Sequence, residues 1–317
     1  MSNLFIKRNP EVFQGERLMK HAGNYFEGWY FKVIGDDFGI SFIPGISIDC
    51  GQQSAFIQVI STKASYYVHY SINDFKFSYD PFYVQIGNSL FSKENIVVDI
   101  CDENQNIEIK GNLRIFNSQN IQTSLFNPNI MGPFSYVPKM ECNHAILSMK
   151  NNVIGTIRIN GTTSTIKHGI GYIEKDWGTS FPKSYIWCQG NSFNNKNASF
   201  MLSIADIPLK WINFEGLICV LIIDDKEFKF TTYNSSHILK KELSDDKINI
   251  VLKRRNYVLN VKSNRGKSLE LVAPVAGRMN RGINESISSS ISVTLVSNNE
   301  PIFEDTSTCC GLEIVGF

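Results

Sequence analysis

Hydrophobic and polar residues alternate with a period of two along most of the chain, in short runs separated by turn-forming residues. In the run at residues 24–34, Glu27, Trp29 and Phe31 share one face, whereas Tyr30 and Lys32 share the other. Similar runs recur at hairpin spacing up to residue 315, and the first half contains no helical period of useful length. The pattern predicts an all-β fold of antiparallel strands.

Length and turn chemistry divide these strands into two halves. A chain of 317 residues can hold two ordinary domains or a single large β domain, and Asn160-Gly161-Thr162-Thr163-Ser164 is the best candidate boundary between two halves. We therefore predict an N-terminal domain at residues 1–163 and a C-terminal domain at residues 164–317, each closed into a barrel so that no strand edge stays exposed. Before the boundary, residues 141–149 and 153–159 are predicted to form a hairpin that turns at residues 150–152.

Composition indicates a packed protein and excludes some partners. Hydrophobic residues make up 43% of the chain and charged residues 19%, and the net charge of +1 gives no electrostatic reason to expect nucleic acid or an anionic membrane as partner. The sequence shows neither a signal peptide nor an uncharged stretch of membrane-spanning length. We expect a cytoplasmic protein without an integral membrane segment, whose seven cysteines are reduced thiols.

Motifs for metals and common cofactors are missing from the sequence. The five histidines form no ligand-spaced pair, and the segment after Gly169-Ile-Gly171 lacks the third glycine of a dinucleotide loop. A Gly-x-Ser-x-Gly nucleophile elbow is also absent. We predict no metal and no cofactor.

The most unusual stretch is Gly171-Tyr-Ile-Glu-Lys-Asp-Trp-Gly178, which places two acids next to bulky apolar residues. On a strand, Glu174 and Asp176 share a face, and two carboxylates that close raise the pKa of one of them, as an acid–base pair requires. The alternative is structural, because an acid before a Trp-Gly break also caps a turn or pairs with a nearby Lys or Arg. Tyr25-Phe-Glu-Gly-Trp29 is a weak echo of this stretch.

Four segments resemble the tocopherol cyclase family. They are residues 25–32 (YFEGWYFK), residues 55–59 (AFIQV), residues 131–144 (MGPFSYVP with ECNH), and residues 171–191 around GYIEKDWG, Trp187 and Asn191. The resemblance extends in order over nearly the whole chain. It implies two consecutive lipocalin-like antiparallel β-barrels packed against each other, and an apolar, prenylated or polyene small molecule as partner.

The family's reaction implies roles for particular residues. An intramolecular cyclase or isomerase of this type protonates a prenyl alkene, and a phenol oxygen closes the ring without a cofactor. Such a reaction needs a proton donor, aromatic faces near the developing cation, and exclusion of water. The catalytic candidates are Glu174 and Asp176. The candidate substrate-binding residues are Glu27, Trp29, Tyr30, Tyr136, His144, Trp177 and Trp187.

Other interpretations remain open from the sequence. A lipocalin-like carrier of an apolar molecule would need the cavity and the aromatic residues but no proton donor, and a hydratase or pericyclase could use the same scaffold. Glu27 and Trp29 also suit the closed end of a barrel, and His144 suits a hydrogen-bonded core position. A carboxylate without a basic partner would favour the enzyme, and one held in a salt bridge at a barrel rim would favour the carrier.

Overall fold

Strands dominate the structure, which is a computed structural model that describes residues 8–20, 23–36, 38–138, 140–195, 197–209 and 212–317. The prediction of an all-β fold of antiparallel strands is confirmed. Within these ranges, none of the helical segments has the length and apolar character that crossing a bilayer requires. The 3-10 helices are Gly15–Lys20, Ile72–Asp74, Gly132–Tyr136 and Thr232–Asn234.

The first sheet contains eleven strands in the order β4-β3-β2-β1-β11-β10-β9-β8-β7-β6-β5. Their bounds are β1 Tyr25–Ile34, β2 Gly39–Asp49, β3 Gln52–Ser61, β4 Ser65–Ser71, β5 Phe75–Tyr79, β6 Phe82–Ile86, β7 Ser89–Ser92, β8 Asn95–Asp102, β9 Ile107–Gln119, β10 Cys142–Ile159 and β11 Thr162–Gly178. The two edge strands of this sheet, β4 and β5, follow each other in the chain and are joined by the 3-10 turn Ile72–Asp74. This short connection holds the two edges near each other, so the sheet is curved into a nearly closed barrel.

The second sheet repeats this plan with the order β15-β14-β13-β12-β21-β20-β18-β17-β16, and β19 pairs with β20 beside this path. Its strands are β12 Tyr185–Gly190, β13 Ala198–Leu209, β14 Ile212–Ile223, β15 Lys226–Thr231, β16 His237–Leu243, β17 Lys247–Arg254, β18 Tyr257–Asn264, β19 Leu269–Val275, β20 Arg278–Ser297 and β21 Glu300–Val315. In both sheets the first strand pairs with the last, which is the arrangement of two consecutive lipocalin-like barrels.

The chain divides into two compact units, residues 1–181 with 271–282 and residues 182–270 with 283–317. The predicted boundary after residue 163 lies inside the first unit, close to the start of β11. Asn160 and Gly161 have φ angles of 46° and 82° and form the two-residue turn between β10 and β11. Asn-Gly suits such a turn because both central residues need positive φ. The stretch 171–178 therefore ends the first sheet rather than opening the second.

The hairpin predicted for residues 141–159 is wrong, because this segment forms the single strand β10. Its pairing with β11 shifts register around Ser148 and Asn151, where the sequence suggested a turn. The Asn151 side-chain amide donates a hydrogen bond to Ser148 Oγ at 3.0 Å. These residues therefore form a bulge inside a continuous strand.

Each unit has its own hydrophobic core of inward-facing strand residues. In the first unit, Phe13 from the segment before β1 is fully buried and packs with Trp29, Phe75 and Phe77. In the second unit the core includes Phe200, Phe230 and the thiols of Cys188, Cys219 and Cys310. All seven cysteines are free thiols.

Candidate functional site

Strands β10, β11 and β1 lie side by side in the first sheet, and we call these three strands the seam. Glu174 on β11 lies opposite Tyr30 on β1, and Asp176 lies opposite His144 on β10. Because side chains alternate along a strand, the seam has an inner face toward the core of the first unit and an outer face on the opposite side.

The seam separates the residues that the sequence predicted as one site. Three predicted residues lie on the inner face: Glu27, Trp29 and Trp177. Four lie on the outer face: Tyr30, His144, Glu174 and Asp176. Tyr136 lies in the segment between β9 and β10, and Trp187 lies on β12 of the second unit.

On the inner face, Glu27 forms a buried ion pair with Lys175, whose Nζ lies 2.5 Å from Glu27 Oε1. Both side chains are fully buried. Glu27 also accepts hydrogen bonds from the backbone N–H groups of Gln14 and Gly15, and Tyr25 Oη donates to its Oε2 at 2.7 Å. This carboxylate is therefore neutralised by a cation and saturated by donors.

The segment before β1 closes over this ion pair. Lys175 Nζ donates to the carbonyl oxygens of Pro10 and Val12 at 2.8 and 2.7 Å, and Trp29 Nε1 donates to Glu11 O at 2.8 Å. The ammonium also lies 4.8 Å from the ring centroids of both Trp29 and Trp177. Burial lowers the pKa of Lys175, and Glu27 opposes that shift. These contacts fix the N-terminal segment on the inner face.

On the outer face, Asp176, His144 and Glu174 form a row of polar contacts. His144 Nδ1 is hydrogen-bonded to Asp176 Oδ1 at 2.8 Å, and His144 Nε2 lies 3.6 Å from Glu174 Oε2. The second distance is longer than a hydrogen bond but short enough for strong electrostatic interaction. The three side chains are only 13% (His144), 6% (Glu174) and 22% (Asp176) exposed, so solvent screens their charges little.

Tyrosines extend this row. Tyr172 Oη donates to Glu174 Oε2 at 2.6 Å, and both residues are buried. The ring of Tyr172 meets the ring of Tyr30 edge-on, with centroids 6.4 Å apart, and Ser41 Oγ donates to Tyr30 Oη at 2.9 Å. The outer face therefore combines two carboxylates, an imidazole and two aromatic rings.

The charges of this group control where its protons lie. Burial alone would lower the pKa of His144, but Asp176 and Glu174 outweigh burial and raise this pKa from 6.5 to about 9. The imidazole therefore carries protons on both nitrogens at neutral pH. Burial, followed by the charge of Glu174, raises the pKa of Tyr172 well above its usual value, so its hydroxyl remains a donor. Burial and then Asp176 raise the pKa of the Cys142 thiol on the same face.

Among the residues that the structure describes, His144, Glu174 and Asp176 form a group that could bind a metal ion. One ligand atom from each lies within 4.8 Å of the others. However, Asp176 and Glu174 face opposite nitrogens of one imidazole ring. A single ion binds only one nitrogen of a ring, so a three-ligand site here would require Asp176 or Glu174 to leave the nitrogen that it now faces. The arrangement suits a row of proton-transfer groups better than a three-ligand metal centre.

The segment between β9 and β10 contacts the outer face. Met131 Sδ accepts a hydrogen bond from the backbone N–H of His144 at 3.1 Å, and Tyr136 Oη donates to the carbonyl oxygen of Leu125.

In the second unit, Trp187 lies opposite Glu313, which accepts a hydrogen bond from Tyr185 Oη at 2.5 Å. A Cβ atom at Gly311 would lie 2.5 Å from the Trp187 ring, so the indole packs on the backbone there.

Sequence reasoning missed Tyr172, Ser41 and Cys142 on the outer face. Tyr172 had a usable signal, because it precedes Glu174 by two positions and a strand places both on one face. Cys142 had the same signal, because it precedes His144 by two positions on one strand, whereas Ser41 had none. Their proximity depends on the pairing of β2 with β1 and of β10 with β11, which strand patterns alone do not specify.

Solved structures share this fold at low sequence identity. CghA with Sch210972 has a TM-score of 0.56 and 10% identity, with 92% of this chain and 89% of that chain covered. An AttH candidate from Nitrosomonas europaea has a TM-score of 0.52 and 12% identity, with 93% of each chain covered. Kievitone hydratase from Nectria haematococca has a TM-score of 0.51 and 9% identity, with 96% of this chain and 93% of that chain covered.

No protein with curated function matches the chain significantly. The sequence profile of the tocopherol cyclase-like family matches residues 122–316, which is more than half of the chain. That match includes His144, Glu174 and Asp176 on the outer face of the seam. The chain belongs to the tocopherol cyclase-like family.

Proposed function

We propose that this protein is a cofactor-free enzyme that protonates the alkene of an apolar prenylated phenol or quinol and closes a ring through the phenol oxygen. Glu174 is the proton donor, His144 the proton relay, and Asp176 the group that orients His144. The observation that carries the proposal is the position of Glu174, which is buried and lies 3.6 Å from an imidazole held by a second carboxylate.

The proposed reaction is balanced in protons and electrons. The alkene π electrons take the proton of the Glu174 carboxyl group, which leaves a tertiary cation and a carboxylate. The phenol oxygen then bonds to the cation and loses its proton, and the carboxylate recovers a proton directly or through His144. The product is an isomer of the substrate, so neither an oxidant nor a cofactor is consumed.

The groups around Glu174 stabilise the charges that form in the successive steps of the proposed reaction. Imidazolium and the Asp176 carboxylate together are a neutral pair. The Glu174 carboxylate, whose charge helps to raise the pKa of His144 in the free protein, takes up a proton when an apolar substrate displaces water from it. The carboxylate formed by proton transfer faces the imidazolium and accepts the Tyr172 hydrogen bond, both of which stabilise it. The rings of Tyr30 and Tyr172 offer π faces to the cation, each contributing about 0.5–2 kcal/mol when well placed.

The carrier function has less support in the first unit. A lipocalin-like carrier holds its ligand inside the barrel, but the inner face of this seam packs against Phe13 and the segment at residues 10–15. The carboxylate on that face, Glu27, is paired with Lys175, whereas on the outer face Asp176 bonds to the titratable imidazole of His144 and Glu174 faces it.

Product analysis in heavy water tests the proposal. The purified protein is incubated in D₂O with a geranylated hydroquinone. The products are separated, and their masses are measured by mass spectrometry. Cyclisation gives an isomer of the substrate that carries one carbon-bound deuterium from the enzyme's acid. A product heavier by one water indicates a hydratase on the same site, and recovery of unchanged substrate with every prenylated phenol tried argues against the proposed chemistry.

Variants assign the proton donor. Glu174→Gln keeps the size of the side chain but cannot donate a proton, and we expect turnover to fall by about 10²–10⁴-fold. Glu108→Gln is the matched control, since Glu108 is an exposed carboxylate of the same unit that pairs with Lys110 and Arg158 on the surface. Equal turnover of Glu174→Gln and the wild type would show that Glu174 is not the donor.

A further inference from the structure

The Tyr-x-Glu spacing occurs on both faces of the seam and gives the same hydrogen bond each time. Tyr25 Oη donates to Glu27 Oε2 at 2.7 Å on the inner face, and Tyr172 Oη donates to Glu174 Oε2 at 2.6 Å on the outer face. In each pair the tyrosine is buried and lies on the same strand as its glutamate. The sequence echo between these stretches therefore has a physical basis.

The two pairs differ in what else reaches the carboxylate. Glu27 receives a lysine ammonium and two backbone N–H groups, so Tyr25 is one donor among several. Glu174 faces His144 Nε2 at 3.6 Å, which is beyond hydrogen-bond length. The bond from Tyr172 is a short contact at Glu174 Oε2, and it acts on the same oxygen that faces the imidazole.

We propose that Tyr172 is a positioning residue that fixes Glu174 through Oε2 and thereby sets how readily Glu174 gives up its proton. This inference rests on the proposed function of Glu174 as the proton donor. A hydroxyl that donates to a carboxyl oxygen stabilises the carboxylate more than the protonated form, so it makes the group a stronger acid. It also restrains rotation of the carboxyl group, so that the proton is presented in one direction.

Other titratable groups lie on this face beside Tyr172. They are Tyr30 and Lys32 on β1, Cys142 and His144 on β10, and Asp176 on β11. Asp176 is already bonded to His144, and Tyr30 accepts a hydrogen bond from Ser41. Removal of the Tyr172 hydroxyl, which bonds directly to Glu174, changes no formal charge at neutral pH.

The test measures the protonation of Glu174 directly on the free protein, without a substrate. The carbonyl stretch of a protonated carboxyl group is followed by infrared spectroscopy across a pH series, and the band of Glu174 is assigned by its loss in Glu174→Gln. In Tyr172→Phe, we expect this band to persist to higher pH, with a midpoint raised by roughly one unit, or tenfold in proton affinity. An unchanged midpoint in the folded variant overturns the proposal.

Tyr25→Phe is the matched control. It makes the same chemical change to the same motif in the same sheet, but on the inner face, so the Glu174 midpoint should stay at its wild-type value. An equal shift in Tyr25→Phe would mean that loosening of the sheet, rather than the Tyr172 hydroxyl, moves the midpoint, and the proposal would be rejected.

A fluorinated tyrosine provides a second measurement in case Tyr172→Phe does not fold. Replacement of Tyr172 by 3,5-difluorotyrosine keeps the shape of the ring and makes the hydroxyl a stronger donor, so the Glu174 midpoint should fall instead of rising. A midpoint that stays constant with this stronger donor contradicts the proposal. Because neither measurement needs turnover, their result is separate from a failure to find cyclase activity.

Discussion

Asp176 fixes the orientation of His144 by accepting a hydrogen bond from its Nδ1 at 2.8 Å. Because Nδ1 is hydrogen-bonded to Asp176, the other ring nitrogen, Nε2, faces Glu174. The acid that orients the imidazole and the acid proposed to exchange protons with it are therefore different residues. Glu174 and Asp176 were predicted as an acid–base pair from their shared strand face, and in the structure an imidazole from the neighbouring strand lies between them.

Asp176→Asn should lower the pKa of His144 from about 9 toward its ordinary value of 6.5. The substitution removes one of the two negative charges that raise this pKa, while Glu174 and the burial of the ring remain. Titration of the imidazole by NMR measures the change. The remaining histidine resonances are internal controls, because they should titrate alike in both proteins. A His144 pKa that stays at about 9 would show that Asp176 does not hold the imidazolium.

The stability of the protein should fall as the pH rises from about 6.5 to about 9. The pKa of His144 is higher in the folded state than in the unfolded chain, so its contribution is complete below pH 6.5 and is lost as the pH rises through about 9. The maximum contribution is about 3 kcal/mol, from 1.36 kcal/mol per pH unit. Urea unfolding across this range measures the loss.

His144→Gln is the reference protein for that measurement. Its free energy of unfolding should depend less on pH between 6.5 and 9, and the difference between the two curves isolates the imidazole. Parallel curves for the wild type and His144→Gln would mean that the ion contacts of His144 contribute nothing to folding.

The sequence was sufficient to predict most strands and the acids of the candidate site, but not the pairing of distant strands. Period-two alternation identified most strands, and Glu174 and Asp176 stood out as acids among apolar neighbours. The contact of His144 with these acids depends on the pairing of β10 with β11. The separation of Glu27 from Glu174 onto opposite faces depends on the pairing of β1 with β11, whose register no local pattern reveals.

The turn residues Asn160-Gly161 predict a local turn correctly, but they do not mark the end of a domain. This dipeptide is a strong local signal for a two-residue hairpin, and it forms that turn inside the first unit rather than a boundary between the units. The opposite error occurred at residues 150–152, where polar residues suggested a turn and the strand continues through a bulge. Local signals specify backbone conformation, whereas the extent of a sheet is decided by which strands pair.

Lys175→Met should destabilise the protein by about 3–5 kcal/mol, because it leaves the Glu27 carboxylate buried without its cation. The double variant Lys175→Met with Glu27→Gln should recover part of this loss, since it removes the uncompensated charge as well. Chemical denaturation of the single and double variants measures both effects. If the double variant is as unstable as the sum of the single variants, the two side chains do not interact energetically.

Gly178→Ala should destabilise the end of β11 more than a backbone effect alone explains. Gly178 has a φ of 155°, and a Cβ atom there would lie 2.2 Å from the carbonyl oxygen of Glu141, which also accepts hydrogen bonds from the backbone of Thr179 and Ser180. Alanine must therefore push the strand away from this oxygen and strain the backbone. We expect the strain itself to cost about 1–3 kcal/mol, with the displacement adding to it.

Gly161→Ala separates the two causes. Gly161 also has a positive φ, of 82°, but a Cβ atom there would meet nothing within 4 Å, so alanine at this position introduces strain without a collision. The difference between the unfolding free energies of the two variants measures the contact with Glu141. Because Asp176 lies two residues before Gly178 on the same strand, Gly178→Ala should also weaken the hydrogen bond from His144 and lower its pKa, whereas Gly161→Ala should leave that pKa at about 9. Equal losses of stability and equal His144 titrations in the two variants would show that close packing at Gly178 does not position the site.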